Sequence, residues 1–162
     1  MVWKPDVTVA ALVERDGRFL VVEERIGGRV VFNQPAGHVE DGESLRAAVI
    51  RETLEETGWH FEPEALLGLY LWRSPRGHTT LRIAFAGKVV AHERERTLDP
   101  PVIAAHWLTL AELQSRSGQL RTPLVLRCID DFLAGQRLPL TAIADESPQE
   151  GAGVPAHRQE LP

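Results

Sequence analysis

Cysteine occurs only once, at Cys128, so no internal disulfide can form and no Cys/His zinc pattern can be assembled. Positive charge is scarce. Eighteen Lys and Arg stand against 23 Asp and Glu, a net charge of −5 with the six His neutral. That balance excludes a general binder of nucleic-acid backbone, which needs a basic surface. Long hydrophobic runs are missing too. The longest early apolar stretch, Val7–Val13, is interrupted by Thr8 and falls far short of the roughly 18–20 residues of a membrane span. Met1–Asp6 lacks a basic segment leading into an apolar signal core. The expectation is a soluble, reduced, cytoplasmic protein with neither a membrane nor a nucleic-acid polymer as partner, a monomer or a weak homodimer.

What is present suits one globular domain. The chain has 162 residues, 43% hydrophobic and 25% charged, enough for a packed core. Val7–Val13 and Phe19–Glu23 read as strands joined at the turn signal Asp16-Gly17, a β-hairpin. Gly27-Gly28 marks a second turn, and Val30–Phe32 is a short apolar stretch. Pro35 and Gly37 forbid a helix there. Between Ser44 and Thr57 the pattern becomes helical, with N-cap candidates before it and Gly58 placed for a C-terminal cap. Ala47, Ile50 and Leu54 form the apolar stripe expected to face the core. Strands follow at Ala65–Trp72, Thr79–Ala86 and Val102–Trp107, and helices at Leu110–Arg116 and Leu124–Ala134. Trp3, Trp107 and the Leu124–Phe132 stripe are expected in the core, with Cys128 a small buried hydrophobe. From Asp145 the chain has too few large apolar groups to offset ordering entropy, which predicts a disordered tail over 145–162 after a domain of 1–144. Strands on both sides of a central helix predict an α+β fold, a sandwich with a mixed sheet.

One segment carries chemistry. Glu52, Glu55 and Glu56 sit at i, i+3 and i+4 and share a helix face. Like charges at that spacing weaken a helix, and near its C-terminus the macrodipole disfavours them further. Helix stability gives no reason for the arrangement. A divalent cation does, because Mg²⁺ takes oxygen ligands from a few carboxylates together with substrate phosphates. A solvated acidic stripe is the alternative for such a run taken alone. Its surroundings favour the cation. The segment reads Gly37-x5-Glu43-x7-Arg51-Glu52-x-x-Glu55-Glu56-x-Gly58.

This pattern resembles the signature of the Nudix hydrolases at every glycine and charged position, departing only at Thr53 and Trp59, where that family usually has aliphatic residues. Lys4–Ala10, Phe19–Glu24, Asn33–His38, Arg121–Val125 and Gly135–Leu140 extend the resemblance to a phosphatase branch of the family. The resemblance implies a Nudix-type α/β/α sandwich. It implies hydrolysis of phosphoanhydride bonds in small organic di- and triphosphates, including nucleoside di- and triphosphates and hydroxymethylpyrimidine pyrophosphate. Water attacks phosphorus and orthophosphate is released. Mg²⁺ would be the cofactor, with Mn²⁺ a possible substitute. Glu52, Glu55, Glu56 and the Gly37 carbonyl would hold it. Arg51 would pair with Glu43 and steady the carboxylates.

Several roles stay open at this stage. Glu52 is the first candidate for general base, and Asp99 the second, against a plain turn-forming role before Pro100. His38 could reach phosphate or serve only the loop, and Asn33 and Gln34 could bind substrate or only cap it. Arg25, Arg29, Arg73 and Arg82 are candidate phosphate-binding cations. Phe32 and Trp72 could stack on a heterocycle or belong to the core. Two other readings remain: the same chemistry on ADP-ribose, a dinucleoside polyphosphate or an oxidised nucleotide, and a binding module without turnover. The complete carboxylate set weighs against the module.

Overall fold

The structure is a computed structural model that describes residues 2–146. Of the tail expected over 145–162, all but its first two residues lie outside the described residues. Seven strands run in the order β1 (Asp6–Arg15), β2 (Arg18–Ile26), β3 (Arg29–Asn33), β4 (Ala36–His38), β5 (Trp59–Arg73), β6 (Thr79–His92) and β7 (Val102–Thr109). Helix α1 (Leu45–Thr57) lies between β4 and β5, and α2 (Leu110–Ser115) and α3 (Leu124–Leu133) follow β7.

The sheet order is β3-β2-β1-β6-β5, with β4 also on β1 and β7 also on β2. The β1/β2 hairpin holds only at its turn, where Glu14 meets Phe19 and Arg15 meets Arg18. Beyond that point β1 pairs with β4 and β6, while β2 pairs with β3 and β7. The β1/β6 pair is parallel and the others are antiparallel, so the sheet is mixed as expected.

Period-two alternation divides the core. Val9, Ala11 and Val13 of β1, with Ile83 and Phe85 of β6, pack toward Ala48 and Val49 of α1. Ala10, Leu12, Ala84 and Ala86 pack toward Leu113, Leu124, Cys128 and Ile129 of α2 and α3. Both sheet faces are covered by helices, which gives the α/β/α sandwich.

The structure corrects four expectations. Strand β5 begins at Trp59 rather than Ala65, and β6 continues to His92 rather than Ala86. Pro63 looks like a strand breaker, but its pairing is shifted at a bulge between Pro63 and Ala65, where a missing N–H is tolerated. The buried side of α1 is not the Ala47, Ile50, Leu54 stripe. It is Ala48, Val49, Thr53, Glu56 and Thr57. Thr53 fits that apolar side because its hydroxyl donates to the Val49 carbonyl at 2.7 Å. Finally, Trp3 is 64% exposed, lying ahead of β1 with no element over it.

Candidate active site

The ends of α1 are built as expected. Ser44 Oγ accepts from the Ala47 N–H at 3.0 Å. Gly58 takes φ 71°, and its N–H donates to the Leu54 carbonyl. A Cβ at Gly58 would also come within 2.9 Å of the Glu93 carbonyl. Fixed at both ends, the helix holds Glu52 and Glu56 against a cavity of about 410 Å³.

Glu56 is 8% exposed and accepts one hydrogen bond, from the Ala36 N–H at 2.9 Å. Burial is the main cause that pushes its pKa up to about 8. Glu52 is also raised, chiefly by burial and against the opposing hydrogen bond from Arg51. Gly37 sits on β4 where Glu52 comes closest, and a Cβ there would overlap the Glu52 carboxylate. Only glycine allows that approach.

Arg51 organises the outer side of the helix. Its Nε and Nη2 fork onto both Glu43 oxygens at 2.8 and 2.9 Å. Nη1 donates to Glu52 Oε1 at 2.8 Å and to Glu55 Oε2 at 3.1 Å, and Nη2 reaches the His38 carbonyl at 3.1 Å. The fork holds the Glu43 carboxyl below the usual range. Thus Glu43, Arg51, Glu52 and Glu55 form one linked group, and the Arg51–Glu43 pair that the resemblance implied is present. Glu55 faces Arg51 and is not part of the cavity wall. Among the described residues no three His, Cys, Asp or Glu side chains form a ready metal cage. Of the signature carboxylates the cavity wall takes Glu52 and Glu56, beside the Gly37 backbone, and it also carries Asp6, Glu24 and Glu40.

The same cavity wall carries Asn33, Arg82 and Arg121. Arg82 is 4% exposed on β6, turned inward and not toward solvent. Its Nη2 donates to Asn33 Oδ1 at 3.1 Å and its Nη1 to Gln34 Oε1 at 2.9 Å. Gln34 in turn donates to the Val125 carbonyl at 2.8 Å, tying the loop to α3. Gln34 therefore orients Arg82 and does not line the cavity, whereas Asn33 does. The exposed His38 side chain is at the rim.

Other sequence candidates fall elsewhere. Arg25, Arg29 and Arg73 are exposed and outside the cavity wall. Asp99 is exposed as well. Its N–H donates to the Glu55 carbonyl and its own carbonyl accepts from the Val102 N–H, which is turn geometry. Phe32 and Trp72 pack in or against the core cluster on the α3 side. Cys128 is buried beside Arg82 and Tyr70, and burial is the largest cause of its raised pKa.

Among the cavity residues that were not sequence candidates, Glu24 and Arg121 form a charged pair. Glu24 is 3% exposed, with Oε1 accepting from Arg121 Nη1 at 2.7 Å and Oε2 buried without a partner. Its signal was a carboxylate two residues after buried Val22 on one strand. Arg121 is in a loop before α3, where no periodicity exposes it.

A mixed sheet between helices, with a capped acidic helix over a polar cavity, defines the class. The chain belongs to the NUDIX family, and residues 3–127 match the NUDIX domain. It is a hydrolase acting on phosphoanhydride bonds, in a family that generally uses divalent metal ions and small-molecule substrates. It is 39% identical over 143 residues to phosphatase NudJ of Escherichia coli, covering 88% of this chain and 93% of that protein. A NUDIX hydrolase structure from Nitrosomonas europaea superposes with a TM-score of 0.87 at 44% identity, covering 90% of this chain and all of that one. A UDP-X diphosphatase structure, at 19% identity and a TM-score of 0.67, covers 86% of this chain and 68% of that one and shares the fold. Among the described residues no helix is long and apolar enough to cross a membrane.

Proposed function

We propose that the protein is a Mg²⁺-dependent phosphatase that releases terminal orthophosphate from nucleoside di- and triphosphates and from hydroxymethylpyrimidine pyrophosphate. The observation that carries this reading is one cavity lined by both carboxylates and arginines. Buried Glu56 and half-buried Glu52 share its wall with Arg82, Asn33 and Arg121. Its volume of about 410 Å³ suits a small ligand. The 39% identity to a protein named phosphatase NudJ supports orthophosphate release over other outcomes.

The donor chemistry fits a hard cation. Glu56 is a buried carboxylate with one hydrogen bond, and Glu52 and the Gly37 backbone adjoin it. Glu56, Glu52 and the Gly37 carbonyl are the groups proposed to hold Mg²⁺, with Mn²⁺ able to replace it. A bound divalent cation supplies phosphate-charge neutralisation and acidifies water. Glu52 is the proposed general base. Arg51 occupies its Oε1, so Oε2 is left to take the proton as the water oxygen bonds to the terminal phosphorus. The bridging P–O bond breaks, and the shortened organic phosphate leaves with that oxygen. Glu55 and Glu43 act through Arg51 by fixing its position.

The test is a panel of nucleoside di- and triphosphates, hydroxymethylpyrimidine pyrophosphate, ADP-ribose and dinucleoside polyphosphates assayed with Mg²⁺. Orthophosphate as the product, lost on chelation, is the expected result. Nucleoside monophosphate as the product from a triphosphate would favour a pyrophosphatase acting at an inner phosphorus. Full activity in chelator would exclude the proposed mechanism.

A further inference from the structure

We infer that Arg121, held in place by buried Glu24, is the arginine that grips the substrate's phosphate chain. The inference deepens the proposed function and rests on that site being a polyphosphate site.

Two arginines line the cavity, and they are not equally available. Arg82 spends both terminal nitrogens on the neutral oxygens of Gln34 and Asn33 and is almost wholly buried. Arg121 has a side chain 41% exposed. Its single side-chain hydrogen bond runs from Nη1 to Glu24, so Nη2 and Nε remain free to donate. Two unspent N–H directions on a planar cation match the paired oxygens of a phosphate.

The mounting of this side chain is specific. The Arg121 N–H donates to the Phe32 carbonyl at 2.9 Å, which places its Cα beside β3 and Asn33. From there the guanidinium meets Glu24, a carboxylate 3% exposed with Oε2 unpartnered. A buried carboxylate with an empty acceptor is costly in a fold. Its presence is explained if its task is to aim a cation at the cavity. Arg25, Arg29 and Arg73 offer no such group, because they lie outside the cavity wall.

The experiment measures binding of a methylene-bridged, non-hydrolysable nucleoside triphosphate with Mg²⁺ by calorimetry, alongside kcat and KM for the hydrolysable nucleotide. R121Q should weaken analogue binding and raise KM by at least about tenfold, with kcat falling far less, and R121K should recover part of the loss. R121Q leaves Glu24 buried without its countercharge, so E24Q/R121Q is the charge-balanced variant. E24Q alone should weaken binding by about threefold, and the double variant should match R121Q, because the two residues act as one unit.

Binding within twofold of the starting protein in both R121Q and E24Q/R121Q overturns the assignment. A rise in the Mg²⁺ half-saturation in E24Q that persists in the R121Q background would make Glu24 a metal ligand and overturn its tethering role. Analogue binding lost in R121Q, while the protein turns over no di- or triphosphate, would sink the proposed activity and leave the Arg121 assignment standing. No analogue binding by the unmodified protein overturns both.

Discussion

Helices α1 and α3 cover opposite faces of one sheet, yet they reach burial by different means. The inner side of α3 is Leu124, Val125, Cys128 and Ile129, a side built for packing alone. The inner side of α1 is Ala48, Val49, Thr53, Glu56 and Thr57. It has fewer large apolar groups, two hydroxyls that bond back to the helix, and a carboxylate. Helix α1 has given up apolar contact, and it places Glu56 and Glu52 at the cavity. Ser44 and Gly58 cap its ends, and Arg51 ties it to β4 through the His38 carbonyl.

The difference is most sharply tested by one substitution on each helix. Glu56→Gln keeps the size of the side chain and an oxygen for the Ala36 N–H, but removes the charge that would hold a cation. Turnover should fall by about three powers of ten or more, with the folded state retained. Steady-state kinetics and a thermal melt read the two effects separately. An unfolded variant, or one with normal kcat, contradicts the ligand assignment. Ile129→Ala on α3 should do the reverse. Ile129 is fully buried, so the cavity left behind should cost about 2–5 kcal/mol. Among molecules still folded, kcat should stay within about twofold. A loss of kcat as large as that of Glu56→Gln would show that α3 does more than pack.

Gly37→Ala comes next in size. The added methyl meets the Glu52 carboxylate and must displace it. A misplacement of about 1 Å near the reacting atoms can cost on the order of 100-fold in rate. Chemical denaturation of the same variant should show a much smaller change. Equal losses of stability and rate would argue that Gly37 serves the fold rather than the position of Glu52.

The same contrast explains what was legible in the sequence. The span and both caps of α1 could be read because Ser44 and Gly58 act locally, through one hydrogen bond and one backbone angle. The signature glutamates could be read because Gly37, Glu43, Arg51 and Gly58 stand at fixed spacings around them, which sets the run apart from an ordinary acidic stripe. The buried side of α1 was misread because hydrophobic periodicity counts Ile50 and Leu54 and ignores a threonine that satisfies its own hydroxyl. Of the four arginine candidates, strand alternation set Arg82 opposite Leu81 and Ile83 but left open whether that side faced a cavity or solvent. Only the alternation of β6 and its pairing with β1 turn Arg82 inward, while the others stay outside. Glu24 and Arg121 each lie in a segment that resembles the family, but they are 97 residues apart, and only the folded chain shows that they pair.

Protonation offers a milder way to separate the two helices. Burial raises Glu56 from the usual 4.5 to about 8, so the metal-free fold favours the protonated acid. Stabilisation from this group is full below about pH 4.5 and is lost as pH rises through about 8. Chelator-treated protein should therefore show a falling Tm across that window. Glu56→Gln should flatten the slope, and Mg²⁺ should raise Tm more at the alkaline end, where the carboxylate is charged. A slope identical in Glu56→Gln would assign the effect to other groups.

The smallest expected effect concerns Thr53, one of the signature's two departures from the family pattern. Its side chain is fully buried, and its hydroxyl donates to a carbonyl four residues back. That carbonyl already has the helical N–H as a partner, so Thr53→Val removes a second bond without orphaning the first. Thr53 shares the buried side of α1 with Ala48 and Val49, and valine replaces the hydroxyl by a methyl of similar size. Stability should change by less than about 1 kcal/mol, in the stabilising direction if at all, with kcat within about twofold. If kcat drops about tenfold while Tm holds, the hydroxyl is helping to set the pitch that aims Glu52 and Glu56. In that case α1 would be tuned for the site in its backbone as well as in its carboxylates.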